Sequence, residues 1–298
     1  SLPLAGTAVY MTSYSRLKNA STLPAGRQGT LSNINRSWEN GMKEREWLYQ
    51  TPMDILVKAS NGASDFGNKF GQPLITGSVL TFEHEECFDT STSLSAGSRK
   101  LGFDKVIMQA GGIGYGKEEQ ALKDTPKEHD KIVILGGDNY RIGMGGAAVS
   151  SADTGAFESG IELNAVQRSN PEMQKRAANA IRGMVESDIN TIVSIHDHGA
   201  GGHLNCLSEL VEDTGGLIDL DKLPIGDPTL SAKEIIGNES QERMGLVIGE
   251  KDAEYLHRIA DRERAPYYEV GEVTNNNRFT FKSKSTGEKP MDLEMNDM

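Results

Sequence analysis

The side chains best suited to chemistry gather in residues 191–210, TIVSIHDHGAGGHLNCLSEL. His196, Asp197 and His198 follow a short β-branched run, and a glycine-rich turn, Gly199–Gly202, comes directly after them. A carboxylate at a strand end can hold a hard cation such as Mg²⁺, which takes one or two carboxylates and completes its shell from water and substrate phosphates. The plainer reading has Asp197 capping the turn. His196, His198, His203 and Cys206 are zinc-ligand types, but their spacing matches no H-E-x-x-H or Cys/His finger, so packing or a substrate contact ranks ahead of a zinc hydrolase site.

A second polar group, residues 238–243 (NESQER), precedes an apolar strand, MGLVIG. Glu239, Gln241 and Arg243 alternate, so an extended backbone would turn all three to one side, toward a polyol or amide. Gln167 and Arg168 form a similar polar punctuation ahead of a helix start at Asn170–Pro171. Glycine clusters follow apolar runs at residues 110–116, 135–146 and 198–202. Glycine lets backbone N–H groups approach a phosphate, yet none of the three is a Walker loop or a dinucleotide fingerprint. No G-x-S-x-G occurs, and neither Cys87 nor Cys206 has a nucleophile's surroundings, which argues against covalent hydrolase chemistry.

The elements that must position these groups follow from periodicity and caps. Residues 191–195 read as a buried strand ending at His196, and Leu204, Leu207, Leu210 and Val211 form the apolar face of a helix that Gly215–Gly216 ends. Ile132–Leu135 reads as a strand covered on both faces, and Asn170 caps a helix through about Glu186. Ser231 and Glu234 make a capping box, and Asp252 caps a later helix. Thr51–Pro52 opens a helix that Gly62 and Gly67 are expected to break in two. A glycine break is also expected between two strands within residues 71–86. Residues 267–273 and 278–283 read as closing strands joined by an Asn275–Asn277 turn, with the chain fraying from Lys284. Residues 12–37 read as a long polar loop. Residues 117–130 are the best domain boundary, and the order of elements fits α+β or α/β layers.

The chain has 298 residues, a formal net charge of −12 and two distant cysteines. That balance argues against nucleic acid, which needs a basic footprint. The cysteine usage points to a reducing, cytoplasmic setting, and no apolar run reaches the ~18 residues that span a bilayer. The abrupt start without an initiator methionine suggests a piece of something longer.

Taken in order, TPMDI, GASDFGNKFGQP, AGGIG, LGGDNYRIGMGGAAVSS, VQRSNPEMQKR, SIHDHGAGGHLN, GNESQER and RERAPYYEVGEV resemble the phosphoribosylformylglycinamidine synthase family over about residues 50–280. The resemblance implies a fold like that of aminoimidazole ribonucleotide (AIR) synthetase. Residues 1–120 would be the later part of an N-terminal α+β domain, 127–285 a C-terminal α/β domain and 286–298 a tail. It implies a C–N ligase of purine biosynthesis that uses ATP, Mg²⁺ and glutamine-derived ammonia to convert formylglycinamide ribonucleotide to its amidine through an iminophosphate. By motif, Asp197 matches a magnesium ligand. Gln167, Glu239, Ser240 and Gln241 match substrate-binding positions, and Thr76, Gly77 and Ser78 a nucleotide-contact segment. The family's E-T-H-N-H-P-type catalytic motif, its nucleotide glycine loop, its second pair of synthetase domains and its glutaminase have no counterpart in this sequence. No catalytic residue is therefore assigned, the remaining domains of the parent chain become partners, and the isolated chain is expected to be inactive. The alternative is a stand-alone ribonucleotide-binding module.

Overall fold

The structure is a computed structural model. It describes residues 2–12, 52–87, 98–103, 106–143, 170–188, 190–239 and 242–298, with isolated positions at 145, 149, 152 and 165. The chain forms two compact units, Pro3–Ile113 and, with the first two residues, Gly114–Met298.

In the first unit β1 (Leu2–Thr12) is the middle strand of a three-stranded sheet. Its neighbours are β2 (Leu74–Thr81), which is parallel to it, and β5 (Ile107–Tyr115). A separate antiparallel pair joins β3 (Glu83–Cys87) to β4 (Ser98–Gly102). Helix α1 (Pro52–Phe70) is one continuous rod, contrary to the expected break. Gly62 has open space around it, and its intrinsic cost of about 1 kcal/mol relative to alanine does not outweigh the flanking turns. Gly67 is there for steric reasons: a Cβ would lie 2.5 Å from the Gln72 carbonyl where the helix turns into β2. Likewise β2 runs through Gly77 unbroken, and the glycines of residues 111–114 lie inside β5 rather than in a turn. A Cβ on Gly112 would come within 3.1 Å of the Ala5 carbonyl, so the glycine admits the neighbouring strand. The expected Thr51 cap and the 12–37 loop, apart from Thr12 itself, lie outside the described residues.

The second unit is built on a seven-stranded mixed sheet of order β12-β11-β8-β10-β6-β9-β7. Its strands are β6 (Lys131–Leu135), β7 (Ile192–Asp197), β8 (Gly216–Asp219), β9 (Met244–Ile248), β10 (Tyr267–Val273), β11 (Arg278–Lys282) and β12 (Met291–Glu294). Alternation divides the strand side chains between two cores. Ile132, Ile134, Val247 and Phe279 face α3 (Gly202–Glu209) and the short α4 (Ala232–Ile236). Val133, Leu135, Leu246 and Ile248 face α2 (Pro171–Val185) and α5 (Ala253–Glu263). Local caps behave as the sequence predicts at α2, where the Asn170 side chain accepts from Met173 N–H at 3.0 Å, and at α4, where both capping-box bonds form. Asp252 occupies the N-cap of α5 without a side-chain capping bond.

Four expectations are corrected. Strands β10 and β11 do not pair with each other, because β8 lies between them, antiparallel to β10 and parallel to β11. Helix α3 ends at Glu209, and Gly215, at φ +84°, instead turns the chain into β8. Strand β7 carries on through His196 and Asp197. The expected tail from Lys284 contains β12, held on β11 by backbone pairing and by Arg278, whose Nη2 donates to Asp292 Oδ1 at 2.9 Å.

Candidate functional site

Sheet topology assembles the site. Strand β9 lies between β6 and β7 and is antiparallel to both, so its first residue, Met244, pairs with Leu135 at the end of β6 and with Asp197 at the end of β7. Three stretches of chain meet at this edge: residues 139–143 after β6, the histidine turn after β7, and Asn238 and Glu239 ahead of β9. Ligands collect at such carboxyl ends because helix N-termini and turning backbones leave N–H groups free there.

The turn after β7 accepts only glycine at its tightest point. Gly202 has φ +59°, and a Cβ there would stand 2.4 Å from the carbonyl oxygen of Asn238. Gly201, at φ +82°, occupies the N-cap of α3, and its N–H donates at 3.5 Å to Glu239 Oε1. Asn238 ties this turn to the β6 loop: its Nδ2 donates to the carbonyls of Tyr140 at 2.7 Å and Ile142 at 2.8 Å, and Glu239 N–H donates to the Gly143 carbonyl at 2.8 Å.

Asp197 stands at the open side of this construction with 68% of its side chain exposed and His196 Nδ1 3.5 Å from Oδ1. His196 is held in turn by Glu209, whose Oε2 lies 2.6 Å from Nε2. Asn205 Nδ2 fixes the other Glu209 oxygen at 2.7 Å. His198 and His203 are fully buried behind the turn, with ring centroids 4.7 Å apart. Burial, then the charge of Arg243, holds both imidazoles well below the ordinary histidine range, so both are neutral at neutral pH. An arginine can only donate, and Arg243 Nη1 lies 2.8 Å from His203 Nε2, so that nitrogen is the acceptor and Nδ1 carries the proton. His203 Nδ1 then donates to His198 Nε2 at 2.9 Å. Both imidazole lone pairs are engaged, and the adjacent guanidinium repels a second cation, so the zinc reading does not fit these histidines. Burial also raises the Cys206 thiol, which makes it inert as a nucleophile.

The conserved-domain model described as "AIR synthase related protein, C-terminal domain" matches residues 127–284. The chain belongs to this family. The AIR synthase related fold extends to solved structures. That of T. maritima PurL complexed with FGAR matches with a TM-score of 0.66 and 23% identity over 99% of this chain and 39% of that one. T. maritima PurL complexed with ATP matches with a TM-score of 0.61 and 21% identity over 99% of this chain and 37% of that one. Curated relatives include proteins named phosphoribosylformylglycinamidine synthase. That of Dictyostelium discoideum is 40% identical over 87% of this chain and that of Homo sapiens 37% identical over 83%. The chain spans only 19% and 18% of the lengths of these two relatives. The mixed α+β and α/β architecture expected from the resemblance to AIR synthetase is the one observed.

Of the site residues the sequence pointed to, Asp197 and Glu239 meet at the β6–β9–β7 edge. Thr76, Gly77 and Ser78 lie in β2 of the other unit, exposed and paired with Thr7, Ala8 and Val9 of β1. Gln167, Ser240 and Gln241 lie outside the described residues. Arg243, expected beside Glu239 on a ligand-facing side, is instead wholly buried. The strand period held the clue: Arg243 shares a face with Gly245 and Val247, and that face packs on α3. The donor set fits magnesium better than zinc. Asp197 is an exposed, hard oxygen donor, and Mg²⁺ draws much of its shell from water and substrate phosphate, so no group of three protein ligands is required. Among the described residues no such group of three occurs. No helix among them is long and apolar enough to cross a membrane.

Proposed function

We propose that this chain is part of a phosphoribosylformylglycinamidine synthase, a cytoplasmic ATP-dependent ligase of purine biosynthesis, and that it supplies the metal and substrate wall of the synthetase site. The observation that carries the reading is the 40% identity to a relative of that name across 87% of the chain, and the family match over residues 127–284 spans the β6–β9–β7 edge. PurL structures complexed with FGAR and with ATP share the fold, which supports a formylglycinamide ribonucleotide and a nucleotide as the ligands. In this reading residues 1–120 and 127–285 are the AIR-synthetase-like N- and C-terminal domains. The other domains of the parent enzyme are the partners, and one of them supplies ammonia from glutamine.

In the reaction, ATP's γ-phosphoryl passes to the amide oxygen of the ribonucleotide and ammonia then displaces phosphate from the resulting iminophosphate. Such a transfer depends on positioning and on charge stabilisation more than on covalent chemistry by the protein. Asp197 would hold Mg²⁺, which neutralises charge developing on the transferring phosphoryl. Glu239, Ser240, Gln241 and Gln167 would orient the ribonucleotide, and Thr76, Gly77 and Ser78 would contact the nucleotide. The Gly199–Gly202 turn, whose one side chain is the Ala200 methyl, would let backbone come close to the ligand.

The test is Asp197→Asn in the complete enzyme. The carboxylate is exposed and makes no buried contact, so the variant should fold normally. Synthetase turnover should fall at least about a hundredfold while glutaminase activity persists. Unchanged turnover would remove the metal assignment.

A further inference from the structure

The three segments of the site edge share one buried cation. Arg243 is fully buried, and Nη1 donates to Asn139 Oδ1 and, at 2.8 Å, to His203 Nε2. Its Nη2 donates to Asn238 at the carbonyl, 3.1 Å, and at Oδ1, 2.5 Å. The Arg243 carbonyl accepts from His198 N–H at 3.3 Å. One residue thus grips the loop after β6 through Asn139, the turn after β7 through His198 and His203, and its own approach segment through Asn238.

These hydrogen bonds all end on neutral acceptors. Among the described residues no carboxylate is hydrogen-bonded to Arg243; the charges of Glu242 and Asp138 act on it, but the cost of burial outweighs them, and apolar packing of the same volume would serve stability better. Two polar atoms of the hub, Arg243 Nε and His198 Nδ1, are buried with no hydrogen-bond partner among the described residues, which adds to that cost. Burial lowers the guanidinium to about 10, which still leaves it charged at neutral pH. The arrangement is poor as a stabilising device and good as a fixture. The fork of the guanidinium sets angles as well as distances. Asn238, which it holds at two points, is in backbone contact with Gly202 and immediately precedes Glu239. Any rotation of the fork therefore moves the turn that follows Asp197.

We propose that Arg243 is a positioning residue for the synthetase reaction: its fork locks Asn139, His203 and Asn238 so that Asp197, the Gly199–Gly202 turn and Glu239 are pre-arranged for the metal and the substrate. The inference rests on the reading of the site given above. Arg243→Lys in the complete enzyme keeps the charge and loses the fork. With folding verified by circular dichroism and an intact thermal transition, kcat should fall by about tenfold to a hundredfold, the cost of a slightly displaced site. The Mg²⁺ concentration giving half-maximal rate should rise, and the KM for glutamine should stay as it is. A variant with wild-type kcat and Mg²⁺ midpoint but a lower Tm would overturn the proposal, since a purely structural residue behaves that way. If Arg243→Lys does not fold, His203→Gln and His203→Leu decide. Glutamine can accept from Arg243 and donate to His198, whereas leucine can do neither, so recovery of kcat by Gln over Leu supports the positioning role and equal rates overturn it. Asp197→Asn measured alongside separates the failures. An active Asp197→Asn defeats the site reading itself, and an inactive Asp197→Asn beside a fully active Arg243→Lys defeats only the positioning role.

Discussion

The two larger sheets of this chain use similar strand sequences to different ends. In the seven-stranded unit β6 and β9 are buried at nearly every position, and apolar clusters fill both faces of the sheet. In the three-stranded unit β5 is exposed along its whole length, and among the described residues the buried cluster consists of Ala8, Tyr10 and Ile55. Ile75, Leu80, Met108 and Ile113 are as apolar as the residues of β6, yet each is more than half exposed. An apolar strand run therefore reports a face suited to burial, and only tertiary structure reports whether the burial occurs. The site edge stands on the buried sheet, where a costly polar hub can be tolerated because the surrounding core supports it. The largest effect that tests this contrast is Phe279→Ala. Phe279 is completely buried between β8 and β12, and its truncation should cost about 3–5 kcal/mol in a urea titration. A cost under about 1 kcal/mol would mean that the seven-stranded core is no tighter than the open sheet.

Acid should separate the two units next. Burial and Arg243 depress His198 and His203 in the folded state, while in the unfolded chain each titrates near about 6.5. Below that pH the unfolded state binds protons that the folded state refuses. The stability they confer is thus complete above about pH 6.5 and falls with decreasing pH, by about 1.4 kcal/mol per unit for each histidine. Hydrogen exchange at pH 7.5 and 5.5, corrected for intrinsic rates, should show protection falling at the β6, β7 and β9 amides and not at those of β1 and β2. His203→Gln should remove one proton's share of the slope. Equal loss in both units would break the contrast.

Most local signals were legible, though Asp252 forms no side-chain cap, and non-local ones were not. The α2 cap at Asn170, the capping box of α4 and the β6 run depend on neighbours within a few residues, and each formed as read. Strand β8 begins with a glycine and is four residues long, too short to show a period, so its insertion between β10 and β11 was invisible and the asparagine turn suggested a hairpin instead. Gly62 and Gly67 suggested a broken helix because propensity counts residues, whereas the close approach of the Gln72 carbonyl explains Gly67. The position of Asp197 beside a glycine turn at a strand end was legible because the residues are contiguous. The Arg243 hub was not, since its partners Asn139 and His203 lie 104 and 40 residues away in sequence and are joined only by the β6–β9–β7 order.

The smallest expected effect sharpens the comparison most. Ile75 lies on β2, an edge strand, with 66% of its surface exposed. Ile75→Thr keeps the β-branched shape that a pleated strand favours, so backbone preference changes little and the substitution isolates side-chain burial. With little buried surface to lose, the change should stay within about 0.5 kcal/mol in the same urea titration that registers Phe279→Ala. If Ile75→Thr instead costs about 2 kcal/mol or more, then Ile75 is covered in solution, because only the loss of a buried apolar side chain is that large for a shape-conserving change. The two sheets would then differ in what covers them and not in whether they are covered.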